Sequence, residues 1–322
     1  MERIHIIDIL NTFHRTHSPD MILLTGATGF IGSRVLQALS LKNLQVRCLV
    51  RKPKTSDNPN ITYITGDVLD RDSLVFATKG VDTVYYFIHM MGNQPKGEQK
   101  RFDVLDRTAI ENMVDACKLN GVKRIIHLTG MRNPNEKLSH HLKSRKEVED
   151  IIRNSGIDYT IFRASVIIGR GGAAFDILDT VVKKFPIIPV LDWENTHVQP
   201  IFIDDVIKYL VECLGKKETV NKFFDIGCSQ ILTYKELIQQ YAEELGLKRT
   251  FIRIPGSWHR ISAMVLGKLS PADPNVVYWL IESLQNNMVC ELNDLNTIFG
   301  FEPVPFKESL RRSIIQNNAL VR

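Results

Sequence analysis

The sequence predicts an α/β protein built on a doubly wound parallel sheet, with a smaller and mostly helical cap in its C-terminal half. Two observations carry this prediction. Short apolar runs typical of buried strands alternate with helical segments between residues 21 and 169. A glycine-rich turn joins the first of these strands to the first helix, as in many parallel α/β sheets. No apolar stretch of the sequence reaches the length of a transmembrane helix.

Composition narrows the class of protein further. The chain has 322 residues and a formal net charge of +5 without a long basic run, so nucleic-acid binding is not expected. Its five cysteines are far apart and form no C-x-x-C pair, which indicates reduced thiols in the core of a cytoplasmic protein. The nine histidines show no H-E-x-x-H or similar spacing, so no metal site is expected.

Residues 1–20 are predicted to be an N-terminal extension, either packed or flexible, that precedes the first strand. Alternatively, Met21 is the natural start of the protein. Glu2 and Asp8 interrupt the charge pattern of signal and transit peptides, so membrane targeting is the least favoured interpretation.

The glycine-rich segment follows the apolar run at 21–24 and has the spacing G-x-x-G-x-x-G. A helix N-terminus offers unpaired N–H groups and a partial positive charge, which suit the pyrophosphate of a dinucleotide. Gly26 permits the tight turn, Gly29 lets phosphates approach the backbone, and Gly32 lets the helix pack close to the strand. A plain glycine turn is the alternative. The candidate nucleotide-binding residues of this segment are Thr25, Gly26, Thr28, Gly29, Phe30, Ile31 and Gly32.

The remaining elements of the first half follow in alternation. Strands are predicted at about 45–50, 61–65, 83–88, 124–129 and 158–163, and helices at about 32–41, 71–78, 102–120 and 142–155. Gly80, Gly121 and Gly156 stand where three of these helices should end.

Beyond residue 169 the pattern loosens. We expect strands at about 199–202, 222–226 and 250–254, and helices at about 174–185, 203–214 and 234–246, the last with a Thr233/Glu236 capping box. Residues 185–189 are expected to be an extended link. The predicted units are therefore the extension 1–20, a nucleotide-binding domain 21–169 and a substrate cap 170–322 that is interleaved with it.

Four segments together carry a resemblance to a known family. They are Thr25–Gly32, Gly66–Val68, Arg163–Gly169 and Gln199–Val206. Over roughly residues 21–315 the chain resembles the extended or atypical short-chain dehydrogenase/reductases, closest to the branch with NmrA-like regulators and an accessory subunit of respiratory complex I. The resemblance implies a Rossmann-type NAD(P)-binding domain with a cap over the carboxyl edge of the sheet, in a monomer or homodimer.

Basic residues after the second strand bear on the choice of nicotinamide nucleotide. NAD-selective sites place an acidic residue there, whereas this chain has Arg51, Lys52 and Lys54. Cations suit a 2′-phosphate, and a guanidinium can bind it with two hydrogen bonds. NADP(H) is therefore favoured over NAD(H), and a solvated basic loop beside either cofactor is the alternative.

The resemblance adds further cofactor candidates. It implies that Asp67 contacts the adenine amine with Val68 beside the ring, although Asp67 could instead cap the following turn. It also implies that Phe87, Ile88 and His89, at the end of the fourth strand, line the nucleotide. A buried core histidine is the alternative for His89.

The family's catalytic pair is a tyrosine and a lysine four residues later, on the helix after the fifth strand. When Ser144 and Glu149 are aligned with the family pattern, the tyrosine position falls on His141 and the lysine position on Arg145. No tyrosine lies between residues 86 and 159, so a small shift of the alignment restores none. The expected chemistry is therefore in doubt.

His141 is nevertheless a candidate acid or base, since the ordinary pKa of histidine is near neutrality. Arg145, one turn on, could hold ribose hydroxyls and would lower the pKa of His141. Thr129, after the fifth strand, is a candidate to orient a substrate carbonyl. Alternatively, His141 is a polar residue at a helix start, Arg145 is a surface cation, and Thr129 only ends its strand.

Other polar residues are expected near the cleft or in structural roles. Arg163 is expected to pair with Asp205 or with a neighbour, and Asp204 and Asp205 to cap a helix. The cap residues expected to face the cleft are Trp193, His197 and Gln199. Four further apolar residues are expected to line either an apolar pocket or the core: Trp258, Met264, Leu266 and Trp279.

Three functions follow from these interpretations. The first is NADPH-dependent reduction of a small organic substrate by hydride transfer. The second is a non-catalytic NADP-sensing regulator or assembly factor that binds a protein partner, which the missing tyrosine favours. The third and weakest is isomerisation of a nucleotide-linked sugar.

Overall fold

A seven-stranded parallel sheet forms the centre of the protein. The computed structural model describes residues 21–92, 102–190, 192–253, 259–291 and 295–320. The strands of this sheet are β1 (Ile22–Leu24), β2 (Val46–Val50), β3 (Ile61–Thr65), β4 (Thr83–Tyr86), β5 (Arg124–Gly130), β6 (Asp158–Ala164) and β11 (Lys222–Ile226). Their order is β11-β6-β5-β4-β1-β2-β3, and all neighbours pair in parallel.

Helices cover both faces of the sheet. They are α1 (Phe30–Leu41), α2 (Arg71–Ala77), α3 (Phe102–Asn120), α4 (His140–Arg153), α5 (Ala173–Lys184), α6 (Ile203–Glu212), α7 (Tyr234–Glu244), α8 (His259–Leu269), α9 (Pro274–Ser283), α10 (Leu295–Phe299) and α11 (Phe306–Leu320). Successive strand residues point to opposite faces, so Leu23 packs with α2, α3 and α4, whereas Ile22 and Leu24 pack with α1 and α6. This arrangement is the predicted doubly wound Rossmann-type sheet.

The strand order changes direction between β1 and β4. From β1 the chain builds β2 and β3 outward on one side, and it then returns to place β4 on the other side of β1. The loops after β1 and β4 consequently lead away from each other and leave a crevice at their carboxyl ends. Open α/β sheets bind ligands in such crevices.

The C-terminal half contributes to both the sheet and the cap. It supplies β11 to the main sheet beside β6, and α6 packs against α1. It also completes three small sheets, each of two strands. These pairs are β7 (Ile167–Ile168) with β10 (Ile201–Phe202), β8 (Ile187–Val190) with β13 (Thr250–Arg253), and β9 (His197–Val198) with β12 (Leu232–Thr233).

Local sequence patterns predicted many boundaries of helices and strands correctly. The bounds of α3 and β11 agree with the prediction, and Gly80, Gly121 and Gly156 have positive φ angles of 66°, 66° and 79°. The capping box of Thr233 and Glu236 is present at the start of α7. The cysteines are free, four of them buried and Cys290 half-buried.

Other boundaries differ from the prediction. β4 ends at Tyr86 rather than near residue 88, and α4 begins two residues early, where Ser139 caps it by accepting a hydrogen bond from Leu142 N. Of the predicted strand at 199–202 only β10 (Ile201–Phe202) is a strand, and β9 lies just before the predicted range. The link at 185–189 overlaps β8, whose parallel partner β13 lies more than sixty residues further along the chain. Within the described ranges, no helix is long and apolar enough to cross a membrane.

Candidate functional site

Thr25 fixes the glycine-rich turn to the sheet. Its hydroxyl is buried, donates to Tyr85 O at 3.1 Å and accepts from Phe87 N at 3.0 Å. These bonds join the carboxyl ends of β1 and β4 on the two sides of the crevice. The side chain of Thr25 thus holds the glycine-rich turn against the end of β4.

Two glycines of the turn are required by close packing. Gly26 has a φ of 68°, and a Cβ atom there would lie 3.0 Å from Phe87 O. A Cβ atom on Gly32 would lie 2.1 Å from Gly26 O, far inside van der Waals contact. The first turn of α1 therefore lies directly against the glycine-rich turn, as the sequence predicted for Gly32.

The N-terminus of α1 is open to a ligand. Gly29 occupies the cap position without any side-chain cap, and both Thr28 and Gly29 are exposed. The first N–H groups of a helix have no intrahelical acceptor and attract anions. The turn, its glycines and this uncapped N-terminus fit the pyrophosphate of a nicotinamide dinucleotide.

Phe30 and Ile31 lie in the first turn of α1, and both are half-buried. The guanidinium of Arg34 stacks 4.6 Å from the centre of the Phe30 ring. The ring also lies close against Gly172, where a Cβ atom would approach it to 2.7 Å. Phe30 therefore packs the loop after β7 onto the nucleotide-binding turn.

The basic residues and Asp67 lie at the carboxyl ends of β2 and β3. Arg51 and Lys52 are exposed immediately after β2, and Lys54 Nζ lies 5.1 Å from the centre of the Tyr63 ring. Asp67 Oδ1 accepts from Leu69 N at 2.9 Å, so this carboxylate caps the turn that follows β3, while Val68 is buried. These residues border the crevice on the side of β2 and β3.

Phe87, Ile88 and His89 follow β4 on the other side of the turn. Phe87 and Ile88 are half-buried, whereas His89 is exposed, so the alternative of a buried core histidine is wrong. Neighbouring protein atoms nevertheless desolvate the ring of His89. This desolvation, together with the charge of Arg145, lowers the pKa of His89 to about 4.

His141 lies in the first turn of α4 and contacts α9. Ser283 Oγ donates to Trp279 O at 2.9 Å and lies 3.0 Å from Ser139 Oγ and 3.2 Å from His141 Nδ1. Since Ser283 has a single hydroxyl hydrogen, all three contacts are satisfied only if His141 Nδ1 donates. This hydrogen-bond network assigns the proton to Nδ1 and the lone pair to Nε2.

Desolvation and nearby positive charge act together on His141. Burial, followed by the charge of Arg145, lowers the pKa of His141 well below its usual value. The imidazole is therefore neutral at pH 7. The predicted effect of Arg145 on His141 has the right direction, but burial contributes more.

Arg145 is buried and forms an ion pair with Asp106 of α3. The same carboxylate accepts from Ser144 Oγ and from Met90 N, both at 2.9 Å. Asp106 was missed in the sequence. An acidic residue on the apolar stripe of α3, four residues after Phe102, was the signal that could have found it, because a buried carboxylate needs partners.

Thr129 lies near the end of β5, adjacent to α4. Its side chain is buried, with 6 % of its surface exposed, and Oγ1 has no hydrogen-bond partner within the described part of the chain. Buried hydroxyl groups normally have one. An unpartnered hydroxyl at the carboxyl edge of the sheet is a suitable contact for a polar ligand atom.

A buried ionic network holds α4 against the sheet. Glu149 binds Arg163 of β6 and, at 2.9 Å, Arg132 in the segment after β5. Arg163 also lies 3.7 Å from Asp225 of β11. The expected structural pairing of Arg163 is confirmed, with Glu149 and Asp225 as its partners and not Asp205.

Asp205 has another structural role. The helix cap is Phe202 without a side-chain bond, so the predicted capping by Asp204 and Asp205 is wrong. Asp205 Oδ2 instead accepts from Val304 N at 2.8 Å and attaches the segment before α11 to α6.

A cavity of about 430 Å³ lies between the carboxyl edge of β5 and β6 and the helices α5, α7, α8 and α9. His141, Trp193 and Leu266 line it. Gln199 instead bonds to Cys228 O at 2.6 Å and Cys290 N at 3.0 Å, and His197 is exposed.

The other residues expected at an apolar pocket lie elsewhere. Trp279 packs in the core against Phe102, and Met264 is exposed. Trp258 lies outside the described residues. In the described ranges, no cluster of three His, Cys, Asp or Glu side chains could hold a metal ion.

Comparisons with known proteins agree with this geometry. Residues 26–178 match the family model described as NAD(P)H-binding. A ceramide reductase of Caulobacter vibrioides is 25 % identical over 244 residues, which cover 74 % of this chain and 75 % of that protein.

Solved structures share the fold across nearly the whole chain. A nucleoside-diphosphate-sugar epimerase of Staphylococcus aureus superposes with a TM-score of 0.71 at 19 % identity, covering 90 % of this chain and 99 % of that one. An NADPH-dependent quinone oxidoreductase of Escherichia coli, complexed with NADPH, gives 0.70 at 18 % identity, covering 91 % and 99 %. Residues 26–178 thus match an NAD(P)H-binding domain, and the chain shares the fold of these solved structures.

Proposed function

We propose that this protein is an NADP(H)-dependent oxidoreductase that reduces the carbonyl group of an organic substrate. The placement of His141 carries the proposal. This side chain lines a cavity at the carboxyl edge of the sheet, close to the crevice beside the nucleotide-binding turn. The ceramide reductase and the NADPH-dependent quinone oxidoreductase among its similar proteins support a reductive reaction.

When bound, the nicotinamide supplies a hydride to the carbonyl carbon. The residues of this chain would hold the nucleotide and handle the proton. The glycine-rich turn and the first N–H groups of α1 would bind the pyrophosphate. His141 Nε2, which carries the lone pair, would take the proton of an alcohol in the oxidative direction and return it to the carbonyl oxygen in the reductive direction. Thr129 does not line the cavity, so the contact with that oxygen is assigned to His141.

The pH dependence of reduction tests the role of His141. Because the pKa of His141 lies well below its usual value, only a small fraction of the imidazole is protonated at pH 7, and that fraction grows as the pH falls. We expect kcat for reduction to rise about tenfold per pH unit between about pH 8 and 6 while the enzyme stays folded. His141→Asn should lower kcat and abolish this slope. An unchanged slope in His141→Asn would exclude His141 as the proton donor.

The preference for NADP(H) is tested by reversing a charge beside β2. Arg51→Glu should weaken NADPH binding about tenfold or more, as expected for the loss of a charge-assisted hydrogen bond, and should affect NADH little. Lys248→Glu makes the same charge change on an exposed residue after α7 and is the matched control. Equal affinity of the unmodified protein for NADH and NADPH, followed by nicotinamide fluorescence, would contradict the preference.

A nucleotide-binding regulator without turnover is the second candidate. The absence of a tyrosine from α4 and the engagement of Arg145 by Asp106 favour it, because the family's usual proton donor and its lysine are both replaced. Tight NADPH binding without oxidation by any compound in a carbonyl screen would support the regulator over the enzyme.

A further inference from the structure

The cavity beside His141 has an unusual lining for a nucleotide-binding enzyme. Within the described ranges no Asp, Glu, Lys or Arg side chain lines it. Most of the residues that line it are apolar, and α5, α7, α8 and α9 contribute many of them. Burying a charged group without a partner is costly. The lining therefore selects against phosphates, carboxylates and ammonium groups and suits an uncharged ligand.

The polar groups of the cavity are few, and several are already paired. Ser283 donates to Trp279 O, and Ser165 donates to the carbonyl oxygen of Gln199. The lining includes His141, at the start of α4, and Gly130, Ala164 and Ser165, which mark the carboxyl ends of β5 and β6. One end of the cavity thus offers the imidazole and faces the sheet, whereas the helices enclose the rest with apolar side chains.

Helix α8 borders the cavity and is partly exposed. Ile261 both lines the cavity and has 47 % of its surface exposed, so we expect a ligand to enter from the side of α8. Two further apolar residues of α8 are exposed, Met264 at 59 % and Leu269 at 40 %. Isolated exposed apolar residues need no explanation, but here they lie on the helix that borders an apolar cavity.

We propose that this cavity binds the aliphatic body of the substrate, and that the substrate is an uncharged long-chain carbonyl compound or the corresponding alcohol. Its oxygen would lie at the His141 end and its chain would extend between α5, α8 and α9 toward Ile261. This assignment rests on the oxidoreductase proposed above, since it takes His141 as the reacting end.

The proposal predicts how affinity depends on chain length. Each buried methylene contributes about 0.8 kcal/mol, which corresponds to about fourfold in affinity. Binding of 2-alkanones should therefore strengthen about fourfold per added carbon until the cavity is full. A carboxylate of the same length, such as decanoate against decan-2-one, should bind much more weakly because no cation lines the cavity.

The test measures binding and turnover separately. Trp193 lines the cavity, so tryptophan fluorescence of the full-length protein can follow titration with 2-alkanones from butanone to dodecan-2-one, without nucleotide and with NADPH. Steady-state oxidation of NADPH with the same series gives kcat/KM. The expected result is the fourfold increment in both measurements. Affinity that does not depend on chain length, or tighter binding of decanoate than of decan-2-one, would overturn the proposal.

Substitutions in the cavity test where the alkyl chain of the ligand binds. Ala174→Phe fills space from α5 and Ser262→Leu fills it from α8, so each should shift the length of best binding toward shorter alkanones. Either variant suffices if the other fails to fold. Lys183→Phe introduces the same bulk on an exposed position of α5 and should leave the series unchanged. If both cavity variants fold and the dependence of affinity on alkanone length is unchanged in each, the alkanones bind elsewhere. That result would contradict the proposal.

The outcome also separates this inference from the proposed function. Chain-length-dependent binding without any NADPH oxidation would support the cavity assignment and count against the oxidoreductase. NADPH oxidation by short polar carbonyl compounds, with no gain from added methylenes, would support the oxidoreductase and overturn the cavity assignment.

Discussion

Replacing Glu149 with glutamine tests how α4 is held in the site. Glu149 is completely buried, and its carboxylate binds Arg163 and Arg132 on the two segments of the sheet beside α4. Glutamine has nearly the same shape but no charge. Glu149→Gln therefore removes one charge and leaves two buried guanidinium groups without their main partner.

The magnitude follows from the pKa of Glu149. Burial favours the neutral acid, but the hydrogen bonds and charges of Arg163 and Arg132 outweigh it and lower the pKa to about 2 from 4.5. A shift of about 2.5 units corresponds to about 3 kcal/mol of folding free energy at pH 7. Removing one partner of a buried ion pair typically lowers the free energy of unfolding by about 3–5 kcal/mol, which is similar. We therefore expect Glu149→Gln to lower the free energy of unfolding by about 3 kcal/mol.

The pH dependence of folding stability gives a second, independent test. Because the folded-state pKa lies below the unfolded one, the stability from Glu149 is fully present above about pH 4.5 and is lost as the pH falls toward 2. The difference in stability between the unmodified protein and Glu149→Gln should narrow by about 1 kcal/mol between pH 7 and 3.5. Urea unfolding at both pH values measures it.

The control is on the same helix. Glu147 pairs with Arg107 at 2.5 Å, but both side chains are partly exposed, so Glu147→Gln should change the free energy of unfolding by less than about 0.5 kcal/mol. The reasoning is refuted if Glu149→Gln costs under about 1 kcal/mol at pH 7, or if its difference from the unmodified protein is the same at both pH values.

Two further predictions concern the turn and the acid sensitivity of the core. Gly32→Ala should destabilise the protein by about 1–3 kcal/mol and weaken nucleotide binding, since its Cβ would meet Gly26 O at 2.1 Å. Gly80→Ala, strained only by its φ of 66°, should cost about 1–2 kcal/mol without loss of nucleotide affinity, and equal affinities of the two variants would contradict this. Desolvation lowers the pKa of the buried His127 to about 4, so stability present above pH 6.5 should fall by about 3 kcal/mol as the pH approaches 4. His127→Gln should remove that part of the loss in urea unfolding, and an identical pH dependence in both proteins would argue against it.

The sequence predicted the central sheet because its signals are local. Buried parallel strands appear as continuous apolar runs, and glycines such as Gly80 and Gly121 end helices through their own backbone freedom. The glycine-rich turn could be read in a similar way, since Gly32 packs against Gly26, six residues earlier in the chain, although the contact of Gly26 with Phe87 is long-range.

The candidate site was predicted only in part. The resemblance placed His141 and Arg145 one turn apart on a helix, and both lie on α4. Their partners could not be predicted, because Ser283 and Asp106 lie on other helices, 142 and 39 residues away along the chain. The sequence left the partner of Arg163 open for the same reason, as several carboxylates satisfied it equally well.

The sequence by itself predicted the doubly wound sheet and the glycine-rich turn, since each depends on residues close together in the chain. The placing of His141 at a tyrosine position came from the resemblance and stays a prediction. Only the tertiary structure decided the tautomer of His141, the ion pairs of Arg145 and Arg163, and the uncharged cavity beside them. Those features arise where α3, α9 and β6 meet α4 and where α5, α7, α8 and α9 enclose the cavity, and such long-range contacts leave no periodic signal in the sequence.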